Sequence, residues 1–205
     1  RRPCMLQRAD VQVTHADPRR LFARIENAAW TALVGVLHAP HSGFSMAVRE
    51  EWWHETQLII DQCKTADPLF ILMDANAPPG EADGQIVLRK GFDTTQSTKF
   101  LREFLNTNNM CLPATSQCHD GEQGTWLDLR GEKLHCIDHV AIPSSWLPCA
   151  THSQVLQEFD LATVKDDHRL VALQLQWSDI VEIVKIQGNA RKAVDIDFKR
   201  VDLTE

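Results

Sequence analysis

This sequence of 205 residues lacks long hydrophobic runs, and its uninterrupted apolar stretches extend over only a few residues. A helix that crosses a membrane needs about 20 consecutive apolar residues, so the sequence predicts no membrane-spanning segment and no membrane partner. An apolar signal core and a cleavage site are also missing, and the chain begins Arg-Arg-Pro-Cys without a Met. We therefore expect a fragment of a longer protein that is nuclear or cytoplasmic and not secreted.

An excess of basic residues is also missing, because 21 Lys and Arg stand against 28 Asp and Glu, for a net charge of −7. This balance argues against a broad basic surface that binds nucleic acid over its whole area. It does not argue against a nuclease, since carboxylates gathered at a metal site make a chain acidic. The six cysteines include no CxxC pair, and the set Cys118, His119, His135 and Cys136 fits no standard zinc spacing.

The residues that are present have the proportions of a soluble globular protein, 43% hydrophobic and 24% charged. The length suits one sizeable core and is short for two ordinary domains. Short apolar or alternating segments predict strands, including a half-buried one near the end of the chain. The predicted strands begin at Asp10, Leu21, Thr31, Leu69, about Thr125, Lys133, His152 and Arg169.

Two segments have the period of an amphipathic helix. The first begins at Ser45, and its buried stripe is expected to contain Met46, Trp53, Thr56, Ile60 and Cys63. Arg49, Glu50 and Glu51 are expected mostly outside that stripe. The second begins at Ser97, which is placed to cap it, and turns Phe100, Leu101, Phe104 and Leu105 to one face. Single helices between more numerous strands predict packed sheets with helices outside.

Polar residues recur where apolar strands end. The strand "LFILMD" runs into Asp74 and Asn76, and "VGVLHAPH" ends in His38 and His41. Asp138 lies inside "CIDHVAIP", and "VKDDHRLVALQL" places Asp167 and His168 directly before a strand. If these ends converge, their carboxylates, amide and imidazoles suit a divalent cation and an activated water. Alternatives remain open for each residue alone: turn chemistry for Asp74, a buried ion pair for Asp138, a solvated turn for Asp166, Asp167 and His168, and an exposed loop for His41.

The order "HAPH", "MDAN", "TW", "IDHV" and "DDH" resembles the endonuclease/exonuclease/phosphatase superfamily. The surrounding "GTWLD" and "IDHVAIPSSWL" look most like the endonuclease domains of non-LTR retrotransposons. The resemblance implies an α/β four-layer sandwich, with two β-sheets packed face to face and flanking helices, incomplete at the N-terminus. The resemblance covers roughly Val11 to Trp177. We expect the domain over 1–177 and a C-terminal tail or linker over the aperiodic stretch 178–205.

Residue roles follow from the resemblance. Asp74 would orient or deprotonate the attacking water, and Asn76 would hold that water or a phosphate oxygen. His168 would donate to a phosphate oxygen, with Asp138 fixing its orientation and protonation. Asp167 would lie beside the Mg²⁺ or Mn²⁺ ion.

Three further residues are expected at the substrate phosphate. His38 and His41 stand where the family usually has Tyr and Asn, and Thr125 would support the site from behind. The resemblance implies a metal-dependent endonuclease that hydrolyses DNA phosphodiester bonds, with a reverse transcriptase region following in a longer polyprotein.

The family's metal-binding Glu and its Asn-bearing first strand have no counterpart in residues 1–10. We therefore expect weak Mg²⁺ binding and poor or no cleavage by this chain alone. Missing strands should also leave an apolar face or edge that favours association. Two alternatives remain: a phosphatase or an inositol or lipid phosphodiesterase of the same fold, and a degenerate remnant that binds nucleic acid without cutting it.

Overall fold

A computed structural model describes residues 6–27, 30–63, 67–80, 95–128, 131–156 and 167–176. The predicted tail over 178–205 and the domain boundary at 177 lie outside these ranges. No helix in the described ranges combines the length and the apolar character that crossing a membrane requires.

The described residues form eleven strands, two α-helices and three short 3-10 turns. The strands are β1 Val11–Asp17, β2 Arg20–Glu26, β3 Thr31–His38, β4 Leu69–Asp74, β5 Met110–Cys111, β6 His119–Asp120, β7 Trp126–Asp128, β8 Lys133–His135, β9 Asp138–Pro143, β10 Ala150–Leu156 and β11 Leu170–Leu175. The helices are α1 Met46–Cys63 and α2 Gln96–Thr107, and the 3-10 turns are Arg8–Asp10, Pro113–Thr115 and Ser144–Cys149.

The main sheet has six strands in the order β1-β2-β3-β4-β9-β5. β1, β2 and β3 form an antiparallel meander, whereas β3 and β4 are parallel. Parallel neighbours need a crossover connection, and α1 provides it, as its position between the two strand sequences predicts. β9 then pairs antiparallel with β4 and starts where β4 ends.

Both helices cover one face of this sheet. Their apolar sides pack on the inward residues of β2, β3 and β4 and form one core with them. Alternation along β3 and β4 decides which side chains enter it, because successive residues of a strand point to opposite faces. The members of this core include Phe22, Leu33, Trp52, Trp53, Ile60, Ile71, Phe100, Leu101 and Phe104.

The opposite face of the sheet packs on a second sheet of three strands, ordered β11-β10-β6. A second core joins the two sheets, in which Phe70 and Ile142 of the main sheet meet Leu173 and Leu175 of β11. Phe70 also packs edge-on against Trp146 at 5.1 Å between ring centroids. The structure therefore confirms the predicted α/β sandwich of two sheets packed face to face with helices outside.

Three local expectations were wrong. Arg49 is buried on the packing side of α1, whereas Met46 is 39% exposed. Arg49 lies four residues before Trp53 and seven before Thr56, and this spacing places it on the buried stripe despite its charge. The helix α2 begins at Gln96, with Thr95 as its N-cap residue. Ser97 is therefore inside the helix, where it is 2% exposed and cannot act as the cap.

The segment predicted as one strand from Lys133 is two strands in different sheets. Lys133–His135 pairs with β7, whereas Asp138–Pro143 joins the main sheet. Between them the chain turns away from β7, and the hydroxyl oxygen of Thr125 accepts hydrogen bonds from the N–H groups of Ile137 and Asp138, at 3.0 and 2.9 Å. A side-chain acceptor thus replaces the strand partner that these two amides would otherwise need.

Candidate active site

Three strands of the main sheet bring polar side chains to the same edge. His38 and Asp74 are partners at the carboxyl ends of the parallel strands β3 and β4. Asp138, the first residue of β9, is directly opposite Asp74 across the antiparallel pair. The register of the sheet alone therefore sets these three side chains side by side.

Asp74, Asp138 and His168 form the centre of the site. Each offers a ligand atom within 4.8 Å of the others. The Nδ1 of His168 lies 3.1 and 3.2 Å from the two carboxylate oxygens of Asp138, so the Nδ1–H donates to that carboxylate. His168 lines the cleft, and its Nε2 is the ring nitrogen left to interact with a molecule bound there.

Burial and charge shift the protonation of two of these groups. The pKa of Asp74 is raised, first by burial and then by the nearby Asp138 carboxylate. The pKa of His168 is raised, chiefly by its hydrogen bond to Asp138. A carboxylate with a raised pKa is a better base, and an imidazole with a raised pKa carries its proton over a wider pH range.

His168 reaches the site through backbone contacts between its own segment and β7. It forms an isolated bridge with Trp126. On either side, the N–H of Leu127 donates to the carbonyl of Asp167 at 2.8 Å, and the N–H of Arg169 donates to the carbonyl of Thr125 at 2.7 Å. These bonds fix the short segment that carries the imidazole.

Asn76 lies in a turn that several hydrogen bonds fix. Its φ of 46° is in the left-handed region, which Asn tolerates better than most residues. Its backbone N–H donates to Asp74 at 2.9 Å, and its side-chain Nδ2 donates to the carbonyl of Ala39 at 2.8 Å. The Nε2 of the buried His139 lies 2.9 Å from the carbonyl of Ala77 and donates to it. Because Nδ2 donates to the backbone carbonyl of Ala39, the side-chain oxygen of Asn76 is left to accept a hydrogen bond from water.

His38 and His41 line the cleft on its outer side. The Nε2 of His38 is 3.7 Å from the carboxylate of Asp74. His41 is exposed, and its Nδ1 accepts a hydrogen bond from the N–H of Gly43 at 3.0 Å. Its ring packs edge-on against Phe44 with centroids 4.8 Å apart. Their predicted contacts with a substrate phosphate stay predictions.

Two predicted residues lie outside the central cluster. Thr125 is 1% exposed, and its hydroxyl supports the start of β9 from behind, so it is not placed to touch a substrate. Asp167 is half-buried and is not among the three residues whose ligand atoms converge. It lies close enough to raise the pKa of His168, and its role beside a metal stays a prediction.

The cleft has a volume of about 560 Å³. Besides the residues already described, its walls include side chains that the sequence interpretation did not assign to the site. These are Ser42, Arg49, Pro78, Thr95, Ser97, Trp126, His135, Cys136 and Ile137. The ring of Trp126 lies 5.2 Å from that of His135 and 6.4 Å from that of His168, as centroid distances. The helical spacing of Arg49 from Trp53 and Thr56 is the one sequence signal that places it on an inward face.

The donor set at the centre fits a divalent cation. Two like charges paired across neighbouring strands repel each other, and a cation between them relieves that repulsion. Carboxylate oxygens suit Mg²⁺ and Mn²⁺, and Mg²⁺ commonly uses only one or two protein carboxylates. An imidazole nitrogen as a further ligand is more typical of iron, nickel, copper and zinc than of Mg²⁺ or Mn²⁺.

No family model matches this chain, and no curated protein matches it. Solved structures do match in fold. The 3′-5′ exonuclease NExo of Neisseria meningitidis superposes with a TM-score of 0.60 at 20% identity, over 82% of this chain and 71% of its own. The 3′ phosphatase NExo from Neisseria, bound to a product DNA hairpin, gives a TM-score of 0.60 at 19% identity over the same shares.

A third structure, the endonuclease domain of the telomere-specific non-LTR retrotransposon TRAS1, matches with a TM-score of 0.57 at 14% identity. The match covers 82% of this chain and 69% of that one. These likenesses show that the chain has the endonuclease/exonuclease/phosphatase fold, as the order of its motifs predicts.

Proposed function

We propose that this chain is a divalent-metal-dependent phosphodiesterase that hydrolyses DNA, of the type found in retrotransposon endonuclease domains. The observation that carries this proposal is the Asp138–His168 hydrogen bond beside Asp74, at the end of a strand pair. DNA as substrate is supported by the neighbouring folds, since one NExo structure holds a DNA hairpin and the TRAS1 structure is an endonuclease domain.

In this proposal His168 stabilises the negative charge that develops on the phosphate. Asp138 accepts the Nδ1–H and so holds the ring with its second nitrogen toward the cleft. When that nitrogen is protonated, it donates to a non-bridging phosphate oxygen. Donors that are already fixed in place lower the barrier most where charge accumulates in the transition state.

Asp74 and Asn76 act on the attacking water. The carboxylate of Asp74 takes its proton as the water oxygen bonds to phosphorus and the leaving oxygen departs on the opposite side. The side-chain oxygen of Asn76 accepts a hydrogen bond from the remaining O–H of that water and orients it without adding charge. The backbone bond from Asn76 to Asp74 keeps the two groups in one arrangement.

A Mg²⁺ or Mn²⁺ ion held by the carboxylates of Asp74 and Asp138 would neutralise charge on the phosphate oxygens. Asp167 is proposed beside it. With two converging carboxylates and one imidazole among the described residues, we expect weak affinity and slow turnover. The retrotransposon origin and the following reverse transcriptase region stay part of this proposal.

Plasmid nicking tests the function. We expect slow nicking with Mn²⁺ or Mg²⁺ that stops when EDTA is added. His168→Asn and Asp74→Asn should each lower the rate by about 100-fold or more. The matched controls are His54→Asn and Asp61→Asn, both at exposed positions of α1, which should nick at the wild-type rate.

Two results would overturn the proposal: nicking that survives EDTA or the His168→Asn substitution, and no nicking at high protein concentration with Mn²⁺. In the second case, parallel assays with phosphoinositides and with a phosphomonoester identify the two alternative enzymes. DNA binding without hydrolysis of any of these substrates would identify a non-catalytic remnant.

A further inference from the structure

Arg49 is a buried cation with no part in the reaction proposed above. It ends the first turn of α1, its side chain is 8% exposed, and it lines the same cleft as Asp74 and His168. None of the ion pairs formed among the described residues includes it. Its Nε is buried and has no hydrogen-bond partner in the described ranges of the chain.

Among the described residues, the one side chain that Arg49 contacts by a hydrogen bond is Ser97, which also lines the cleft. The Nη1 of Arg49 donates to the hydroxyl oxygen of Ser97 at 2.6 Å. A hydroxyl that accepts such a bond still has its own O–H to donate. Within the described part of the chain that O–H has no acceptor, so Arg49 and Ser97 together present several unused donors and one positive charge.

A buried guanidinium without a counterion is costly, because the desolvation of the charge is not repaid by pairing. An anion that enters the cleft would pair with the guanidinium and offset the free energy of its desolvation. The planar fork of an Arg matches two oxygens of a phosphate, and a hydroxyl donor beside it adds a third contact. The chemistry of this wall therefore fits a phosphate.

We propose that Arg49 and Ser97 form a second phosphate subsite, which binds a non-scissile phosphate of a DNA strand whose scissile phosphate lies at His168. This inference rests on the proposed function of the cleft. The proposed subsite and the reacting groups lie on different elements. The subsite is on the helices, with Arg49 on α1 and Ser97 on α2, whereas the reacting groups lie at the strand ends of the main sheet. A cleft of about 560 Å³ has room for more than one phosphate group.

The subsite implies a substrate preference. A polynucleotide, which carries further phosphates beside the scissile one, gains a contact that an isolated phosphodiester lacks. Binding through Arg49 then raises affinity for the strand without entering the chemical step.

The experiment measures binding without hydrolysis. Short DNA duplexes, each with one phosphate replaced by an uncharged methylphosphonate, are titrated in EDTA and followed by fluorescence anisotropy. In the wild-type protein we expect one replacement at a non-scissile position to weaken binding by about 10- to 100-fold. Arg49→Gln should lose the same factor on unmodified DNA, and in that variant the sensitive replacement should have no further effect.

The controls separate the subsite from folding and from the proposed reaction. Arg24→Gln removes an Arg of β2 that pairs with Asp67, and it should bind as the wild type does. The methylphosphonate scan of the wild-type protein needs no variant, so it holds even if Arg49→Gln unfolds. With bis(p-nitrophenyl) phosphate, which has a single phosphodiester, Arg49→Gln should lose a smaller factor in rate than it loses on plasmid DNA.

Two outcomes overturn the subsite. In the first, no replacement at a non-scissile phosphate weakens binding. In the second, the loss of affinity from Arg49→Gln and the loss from the methylphosphonate are independent, so that their product is observed when both changes are combined. Either can occur while nicking remains dependent on His168, in which case the proposed reaction stands and the subsite falls. Conversely, if one non-scissile replacement weakens binding but the protein nicks no DNA, the subsite is supported and the proposed hydrolysis is wrong.

Discussion

Asp74 and Asp138 face each other directly across the antiparallel strands β4 and β9. Like charges at such paired positions destabilise a sheet. The pKa of Asp74 is raised first by burial and then by the repulsion from the Asp138 carboxylate. The folded protein therefore holds two carboxylates together at a cost that a bound cation or a proton removes.

Replacing Asp74 by Asn should stabilise the metal-free protein. The substitution removes one of the two charges and keeps an oxygen to accept the N–H of Asn76. We expect a gain of about 0.5 kcal/mol in the free energy of unfolding at neutral pH, measured by urea denaturation. Mn²⁺ should raise the melting temperature of the wild type and have little effect on Asp74→Asn. Equal stabilisation of both proteins by Mn²⁺ would contradict a role of Asp74 in holding the ion.

The pair of His168 and Asp138 should make stability depend on pH. The folded-state pKa of His168 is raised above its ordinary value of 6.5 by the hydrogen bond to Asp138. The protonated ring therefore adds stability that is fully present below the unfolded pKa and is lost as pH rises through the folded pKa.

Urea denaturation of the wild type and of His168→Asn from about pH 5 to about pH 9 measures this dependence. The free energies of unfolding should differ most at the acid end, and the gap should narrow as pH rises. A gap that stays constant over that range would show that the ion pair contributes nothing to stability. Asp138→Asn should give the same narrowing, because it removes the partner that raises the pKa.

Thr125→Val should destabilise the protein and displace Asp138. The hydroxyl oxygen of Thr125 is the acceptor for the buried amides of Ile137 and Asp138, and Val offers no acceptor. An unsatisfied buried donor costs about 1–3 kcal/mol, so we expect a loss of at least that size in the free energy of unfolding. Thr125→Ser keeps the oxygen and should recover most of it. If Val and Ser variants were equally stable, the hydroxyl would have no such role.

The main sheet also has an exposed apolar stripe on the face opposite its helices. Leu21, Val36 and Leu72 are direct neighbours across β2, β3 and β4, and they are 40%, 45% and 42% exposed. The second sheet packs nearer to β9 and leaves this stripe open. An apolar surface of this kind favours association, in line with the association expected from the sequence.

We therefore expect the chain to self-associate in a concentration-dependent manner, observed by sedimentation velocity. Leu72→Gln should shift the protein toward monomer without lowering its melting temperature. Leu58→Gln, at a 47% exposed position on α1, is the matched control and should leave association unchanged. A wild-type protein that stays monomeric at high concentration would contradict the expectation.

The longer strands and the two helices were predictable from the sequence because their apolar residues recur with a regular period, whereas the two-residue strands β5 and β6 were not predicted. The run Leu69–Asp74 and the alternation of Leu170–Leu175 gave strands at the positions observed. The local sequence pattern gave a wrong prediction where a tertiary contact determines the backbone conformation. The segment from Lys133 divides into two strands because Thr125, which is distant in sequence, provides the acceptor for the amides between them.

The site divides in the same way. That Asp74 and Asn76 end a buried strand is visible in the sequence, because polar residues interrupt an apolar run there. The meeting of Asp138 with His168, 30 residues later in the chain, follows from the packing of two sheets, and only the resemblance of the motif order suggested it. Arg49 was assigned to the surface because a charge is rarely buried without a partner, and its cleft position depends on the neighbouring helix.

The backbone bridge between Trp126 and His168 gives the site a further property. Asp74 and Asp138 belong to the main sheet, whereas His168 lies two residues before β11 of the second sheet and is bridged to Trp126 of β7. The arrangement of the imidazole and the carboxylates therefore depends on how the second sheet and β7 pack on the main sheet. Partial separation of these layers, well short of global unfolding, would move the imidazole away from the carboxylates, so the rate of the proposed reaction would report on that packing.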